Sequence, residues 1–264
     1  MARISRAWRH AWRRAAARWS FDAFRVCCIC GAHIRRFLPY RDGLKSLPRV
    51  ALKLDIIGSD VEHFECPACG CHDRERHLFL YMQASGQFDA LRDARVVHFA
   101  PESKLQCLIS AAAPSEYVCA DLMPTRPGVR KLDLMAIDLP SDRYDFVIAN
   151  HVLEHVGNDQ QALREILRVL RPGGHAILQT PFASRLPSKY EDPRLRTDAE
   201  RLQAYGQEDH CRLYGADFID YVVSAGFVSR AAVHAELLPQ VNPDTSGVHA
   251  REPFLLFAKP VGSP

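Results

Sequence analysis

The sequence predicts an α/β fold with a mostly parallel β-sheet, an antiparallel closing strand and a small cysteine-rich module on its N-terminal side. Two observations indicate this. From Ala94 onward, short apolar runs alternate with helix patterns, which implies a parallel sheet covered by helices on both faces. Ahead of that region, two Cys-x-x-Cys-Gly motifs are separated by 35 residues, which is typical of a metal-binding module.

Composition places the chain among ordinary globular proteins. Its 264 residues are 47% hydrophobic and 25% charged, enough for one α/β domain and an accessory module. No apolar run reaches the roughly 20 residues of a membrane-spanning helix, and arginines interrupt every early apolar stretch, so we expect no secretory signal. Residues 1–40 carry a net charge of +8, and residues 41–264 carry −5. An enzyme that binds a nucleic-acid duplex more often carries positive charge on its main domain.

Residues 1–22 are predicted to form a basic amphipathic helix. Its apolar face follows helical spacing and consists of Ile4, Trp8, Trp12, Ala15 and Trp19. Three roles stay open: packing against the rest of the chain, peripheral contact of residues 1–21 with an anionic membrane, or a transit peptide. We expect a cytoplasmic protein, with any membrane contact at the inner face.

Residues 23–77 are predicted to form a zinc-ribbon-like module. In a reduced compartment, clustered cysteines indicate metal rather than disulfides. Four thiolates complete a tetrahedral structural zinc site without an open position, and the two motifs supply Cys27, Cys30, Cys66 and Cys69. Spare ligands leave this set open, namely Cys28, Cys71 and His72. An iron–sulfur cluster fits the pairing less well. A proline- and glycine-containing loop is expected between the motifs.

Residues 78–264 are predicted to form the α/β domain. The expected strands are Arg95–Ala100, Tyr117–Ala120, Tyr144–Ala149, His175–Thr180 and a closing pair, Val228–Leu238 and Pro253–Lys259. The expected helices are Leu105–Ala113, Asp159–Leu170 and Gly215–Ala225. The second helix should end at the turn Arg171-Pro172-Gly173-Gly174.

The stretch from Tyr144 to Thr180 carries the most specific signal. It reads YDFVIANHVLEHVGNDQQALREILRVLRPGGHAILQT and strongly resembles the class I S-adenosylmethionine (SAM)-dependent methyltransferases. The resemblance implies a Rossmann-like sheet in which Asn150 and His151 end the fourth strand and face cofactor and substrate. That position agrees with the rule that open α/β sheets bind ligands at the carboxyl ends of their strands.

The same resemblance assigns residues to the nucleoside part of SAM. Asp121, which ends the second predicted strand, becomes the ligand of the ribose hydroxyls, with Leu122 beside it. A carboxylate there can accept both hydroxyls, as in nucleotide-binding α/β folds generally. Asp133 and Leu134 take the adenine-edge position, for which Asp138 competes.

The first motif departs from the family pattern. Where a glycine-rich D-x-G-x-G-x-G is usual, the chain has HFAPESK over residues 98–104, and no glycine lies between Gly86 and Gly128. This HxAPE loop resembles that of a subfamily with an N-terminal cysteine module. The resemblance gives His98, Ala100 and Glu102 to the cofactor site, with Glu102 holding the amino group of the methionine moiety.

The sequence indicates the residues that face the methyl acceptor less clearly than those that face the cofactor. His210 is a candidate general base oriented by Glu208 or Asp209, or else part of a helix cap. His151 and Glu154 are the other catalytic candidates. The acceptor is expected to be a small molecule or a glycan- or lipid-linked intermediate. Two alternatives are an RNA methyltransferase whose zinc module binds RNA, and a non-catalytic protein with a decayed SAM site.

Overall fold

The computed structural model describes residues 14, 15, 17 and 24–262. In chain order the strands are β1 (Arg25–Val26), β2 (His33–Ile34), β3 (Ile56–Ile57), β4 (Arg95–Phe99), β5 (Glu116–Asp121), β6 (Arg130–Lys131), β7 (Tyr144–Ala149), β8 (Leu170–Ile177), β9 (Phe182–Ala183), β10 (Val228–Ser229) and β11 (Leu256–Ala258). The α-helices are α1 (Arg49–Leu54), α2 (Asp73–Ala84), α3 (Ser103–Ala111), α4 (Asp159–Val169), α5 (Asp198–Tyr205), α6 (Phe218–Ser224), α7 (His234–Leu237) and α8 (Pro243–Ser246).

Seven of the described strands form one sheet in the order β10-β11-β8-β7-β4-β5-β6. The five strands from β8 to β6 run parallel, and β11 closes the sheet antiparallel to β8. This confirms the predicted α/β, Rossmann-like fold. Since β4 and β7 are neighbours, the residues that follow them meet at one edge of the sheet.

Apolar residues of β4 and β7 alternate between the two faces of the sheet, as the period of a strand requires. Val97 and Val147 point to the face covered by α4 and α6, whereas Val96 and Phe146 point to the face covered by α2 and α3. Both faces are therefore buried under helices, which explains the nearly continuous apolar runs in the sequence.

One predicted strand and one predicted turn differ from the structure. The segment Val228–Leu238 is a strand only at β10 and then forms α7, because His234 turns inward to hydrogen-bond His77 at 3.0 Å. The expected turn 171–174 lies inside β8, which begins at Leu170 directly after α4. The pairing of β8 with β7 shifts register there, between Tyr144 and Phe146. Residues 171–174 therefore form an irregularity within β8 instead of a turn before it.

The segment between the two cysteine motifs is not the loop that the sequence suggested. It forms a 3₁₀ turn (Gly43–Ser46), α1 and β3. β3 pairs antiparallel with β9, which follows the sheet strand β8, and α1 packs near α5. The cysteine-rich region is thus tied to the α/β domain. One helix, α2, runs across the predicted boundary at residues 77 and 78, and the division into domains stays a prediction.

Most of the predicted N-terminal helix, and with it the membrane contact of residues 1–21, lies outside the described residues. At its described positions the segment contacts the cysteine-rich region: Arg14 Nε donates to the carbonyl of Pro67 at 3.2 Å, and the carbonyl of Ala17 accepts from Arg35 at 2.9 Å. Of the helices within the described ranges, none is long and apolar enough to cross a membrane.

Candidate active site and metal centre

The residues that follow β4 and β7 hold a backbone conformation that favours glycine. Ala100 has φ +46° and His151 has φ +54°, and the left-handed region costs a non-glycine residue roughly 1–2 kcal/mol. Ala100 N–H donates to Ala120 O at 2.8 Å, and His151 N–H donates to Gln179 O at 2.7 Å. The glycine-free loop therefore adopts a glycine-like turn with the smallest chiral side chain, and such strain is concentrated at functional sites.

His98, Glu102 and Asn150 meet at this edge of the sheet. Glu102 Oε1 accepts a hydrogen bond of 2.6 Å from Asn150 Nδ2, and its Oε2 lies 3.3 Å from Nε2 of the fully buried His98. Burial raises the pKa of Glu102, but His98 outweighs burial and holds it below its usual value. Asn150 Oδ1 is buried and has no hydrogen-bond partner among the described residues. A buried carboxylate beside a free amide oxygen fits the ammonium group of an amino acid.

Asp121 ends β5 beside this group. Its Oδ1 accepts from the backbone N–H of Met123 at 2.8 Å, and Leu122 next to it is 56% exposed. β6 pairs with the end of β5 and leads directly to Asp133 and the buried Leu134. These four residues thus share one end of the sheet, where an aspartate and apolar surface suit a nucleoside. The competing Asp138 is exposed to solvent.

A buried chain of charged residues lies behind His151. Its Nδ1 is 3.5 Å from Glu154 Oε1 and its Nε2 is 3.5 Å from Glu252 Oε1. Burial lowers the pKa of His151, but these two carboxylates outweigh burial and raise it to about 9, and His151 in turn lowers the pKa of Glu154 to about 2 against the effect of burial. Glu252 Oε2 also contacts His77 Nδ1 at 3.1 Å. The two carboxylates on either side thus favour the protonated form of His151.

His210 lies in the same region but not as the sequence suggested. It is 5% exposed and packs edge-on against His155, with ring centroids 4.8 Å apart. Burial lowers its pKa. Neither expected carboxylate orients it, because Glu208 pairs with Arg41 at 3.3 Å and Asp209 with His155 Nδ1 at 3.3 Å. It does not cap α6 either, since Asp217 is the N-cap residue of that helix.

These side chains line a cavity of about 150 Å³. One wall comes from the sheet end, with His151, Glu154, His155 and His210. The opposite wall comes from the segment between the cysteine motifs and the start of α2, with Leu47, Ala51, Ile56, Gly58, Ser59, Val61 and Arg74. At Gly58 a Cβ would lie 3.0 Å from Pro181 Cβ, so the two walls are in close contact there.

The four predicted zinc ligands come together. Sulfur atoms of Cys27, Cys30, Cys66 and Cys69 lie within 4.8 Å of one another, close enough for a tetrahedral thiolate site after slight contraction. The spare cysteines differ in position. Cys28 points to the carbonyl of Arg76 at 3.7 Å, whereas Cys71 Sγ lies 3.5 Å from Cys27 Sγ. The cluster thus fits one metal ion with a fifth thiol beside it.

Sequence reasoning missed three residues of this site. Glu252 lies just before β11 in a stretch without any motif, and only the fold brings it to His151. Arg74 stands two residues after His72 and lines the cavity. His155 was visible, because it follows Glu154 in the resembling string, but nothing in the sequence paired it with His210.

Comparison with known proteins identifies the family of the chain. Residues 72–227, more than half of the chain, match the family described as methyltransferase domain. No curated protein matches the sequence. Among solved structures, an S-adenosylmethionine-dependent methyltransferase from Mesorhizobium loti has 17% identity and a TM-score of 0.46, covering 67% of this chain and 96% of that one. The YcgJ protein from Bacillus subtilis has 13% identity and a TM-score of 0.42, covering 70% and 100%. Similarity at this level concerns the fold alone.

The family match covers β4 to β8, α2 and the segment that contains His210. The chain belongs to the methyltransferase domain family and is a SAM-dependent methyltransferase.

Proposed function

From this family membership, we propose that the chain transfers a methyl group from SAM to a small molecule or a glycan- or lipid-linked intermediate. The observation that carries the acceptor class is the small, partly open cavity of about 150 Å³, which is large enough for a small functional group or the end of a larger molecule. SAM supplies a methyl group that is already activated. The protein then has to align the acceptor atom and, where necessary, remove its proton.

The cofactor side is formed by the ends of β4, β5 and β7. Asp121 binds the ribose hydroxyls, with Leu122, Asp133 and Leu134 around the adenine. Glu102 binds the ammonium group of the methionine moiety. His98 and Asn150 hold the side-chain carboxylate of Glu102 in place. This arrangement is supported by the contacts of Glu102 and by the unpaired oxygen of Asn150.

The acceptor side is the cavity beyond His151. His151, Glu154 and His210 are the catalytic candidates there, all at most 9% exposed. Nδ1 of His210 is buried without a hydrogen-bond partner among the described residues, so it is free to meet an acceptor group. Arg74 contributes a cation whose Nε is likewise buried and unpartnered within the described part of the chain. A guanidinium group on the cavity wall favours an acceptor that carries a carboxylate or phosphate.

The cysteine cluster is proposed to hold a structural zinc ion through Cys27, Cys30, Cys66 and Cys69. Four thiolates occupy every position of a tetrahedral zinc, so the ion has no catalytic role. The segment between the cysteine motifs forms one wall of the cavity. By holding the two ends of this segment, the zinc stabilises the acceptor site without contacting the acceptor.

Titration calorimetry with SAM and S-adenosylhomocysteine tests the cofactor side. Asp121→Asn should weaken both by about tenfold or more, because charge-assisted hydrogen bonds contribute roughly 1.5–3 kcal/mol. Its amide oxygen can still accept from Met123. The control is Asp138→Asn, which should bind like the parent. Equal affinity of all three proteins would remove Asp121 from the site, and no binding to the parent would indicate a decayed cofactor site.

A second candidate acceptor is RNA, which one surface feature favours. A hollow of about 500 Å³ on the cysteine-rich region is lined by Arg25, Arg35, Arg36 and His63 among others. Methyl transfer from labelled SAM to a small-molecule extract and to purified RNA separates the two. Labelled RNA, together with RNA affinity that falls steeply with salt, would favour the second candidate.

A further inference from the structure

We propose that Glu154, His155 and His210 form a second metal site, which binds a divalent transition-metal ion at the wall of the acceptor cavity. One carboxylate oxygen and one nitrogen of each imidazole lie within 4.8 Å of one another. These atoms come from two separate segments, the loop after β7 and the loop before α6. Two imidazoles and one carboxylate are a donor set suited to zinc, manganese or iron(II).

The surroundings of the three side chains point to a ligand. His210 is 95% buried, since only 5% is exposed, yet its Nδ1 has no hydrogen-bond partner among the described residues. A buried imidazole nitrogen without a partner costs free energy unless something outside the chain satisfies it. Its neighbour His155 directs Nε2 toward Glu154 Oε1, at 3.9 Å. The two rings and the carboxylate thus direct lone pairs toward one another, as the ligands of a cation do.

Each of the other two ligands is oriented by a further residue. Thr180 Oγ1 donates to Glu154 Oε2 at 2.9 Å, so that Oε1 faces His155 on one side and His151 Nδ1, 3.5 Å away, on the other. His155 Nδ1 lies 3.3 Å from the backbone oxygen of Asp209 and 3.3 Å from its Oδ2, so Nδ1–H faces Asp209 and Nε2 keeps its lone pair. Metal-binding histidines commonly donate from their second nitrogen to a backbone carbonyl or a carboxylate. Structural zinc sites are closed, whereas three protein ligands leave coordination positions free.

The free positions face the acceptor cavity, because all three ligands line it. A hydroxyl of the acceptor that binds the cation loses its proton to water more readily, since a bound cation lowers the pKa of a coordinated oxygen. This last step rests on the proposed methyltransferase function. With the cation present, His210 acts as a ligand, and the cation rather than the imidazole favours the deprotonated acceptor.

Zinc content after equilibrium dialysis tests the site in the full-length protein. The parent should hold about two zinc ions per chain, one at the cysteines and one here. His155→Ala/His210→Ala should hold one fewer. The matched control is His175→Ala, a half-buried histidine on β8 that pairs with the amino-terminal half of β7, and it should keep both. Saturation of the parent at one ion, or two ions in every variant, would overturn the proposal.

A milder variant keeps the test meaningful if the double variant fails to fold. The His155 side chain is 31% exposed, so His155→Ala alone should fold normally. As the loss of a ligand, it should weaken the second zinc by more than the roughly 10–100-fold that the loss of an orienting partner costs. Unchanged zinc affinity in this variant would contradict the arrangement. SAM titrations on the same proteins separate this inference from the proposed function, since metal content and SAM affinity are read independently.

Discussion

Glu102 and Asn150 are joined by a hydrogen bond of 2.6 Å, although 48 residues separate them in sequence. The bond connects the loop after β4 with the end of β7, so that it fixes the two strand ends that border the cofactor side. Glu102 is thereby held in position from both sides, by Asn150 and by His98, before any ligand binds. Such preorganisation lowers the entropic cost of binding.

Replacing Glu102 by glutamine should therefore weaken SAM by about tenfold or more, since a charge-assisted hydrogen bond to the ammonium group is lost. Titration calorimetry measures the effect. Glu200→Gln is the control, because Glu200 lies on the exposed first turn of α5 and glutamine serves equally in its capping box. Equal SAM affinity of the two variants would mean that the loop binds SAM through its backbone alone.

The left-handed backbone of Ala100 gives a second prediction. Ala100→Gly should raise the free energy of unfolding by roughly 0.5–1 kcal/mol. The reason is that the strain removed from the left-handed backbone exceeds the conformational entropy that glycine adds to the unfolded chain. SAM affinity should be kept. Ala100→Val should lower both, since a branched side chain tolerates this conformation poorly.

Ala113 is the matched control for Ala100. It has φ +58° in the turn after α3, so Ala113→Gly and Ala113→Val should change the unfolding free energy in the same directions without an effect on SAM. Urea unfolding and calorimetry on the four variants check this. A SAM affinity that falls as much in Ala113→Val as in Ala100→Val would remove the loop after β4 from the cofactor site.

The sheet could be predicted because its information is local. β4, β5 and β7 are apolar runs bounded by polar residues, and α4 has a clear apolar stripe, so each element is visible on its own. The strand-end residues came from the family resemblance, with which the topology agrees, since parallel strands bring their carboxyl ends to one edge.

The cavity could not be predicted, because it depends on pairings between distant segments. Ile56 pairs with Ala183 through strands of only two residues, too short for a period-2 pattern. Glu252 reaches His151 only when β11 closes the sheet. The α7 turn was mistaken for a strand for a similar reason, since the bond from His77 to His234 decides it rather than local propensity.

The cysteine cluster yields a third prediction. Cys66→Ser/Cys69→Ser should lose about one zinc ion per chain and melt at a lower temperature than the parent, because a small module with few apolar residues depends on its metal. Elemental analysis and thermal unfolding measure both. Cys28→Ser is the control, since Cys28 points away to Arg76. Full zinc occupancy in the double variant would refute the ligand set, and zinc loss in Cys71→Ser would add the fifth thiol to it.

The carboxylate of Glu252 gives the last prediction. It is 2% exposed and contacts both His77 and His151, while Gln179 Nε2 donates to its Oε1 at 3.2 Å. Glu252→Gln keeps the shape and the bond from Gln179 but removes the negative charge. His151 would then be a buried cation with one counter-ion, and breaking a buried pair typically costs about 3–5 kcal/mol of unfolding free energy.

Urea unfolding of Glu252→Gln measures this loss. Glu236→Gln provides the comparison, because Glu236 is exposed on α7, and a surface substitution of this kind should stay within about 0.5 kcal/mol of the parent. The double variant Glu252→Gln/His151→Gln should recover part of the stability, since the uncompensated cation is gone. A loss below about 1 kcal/mol in Glu252→Gln, with no recovery in the double variant, would show that His151 is neutral in the folded protein and that the two residues do not form an ion pair.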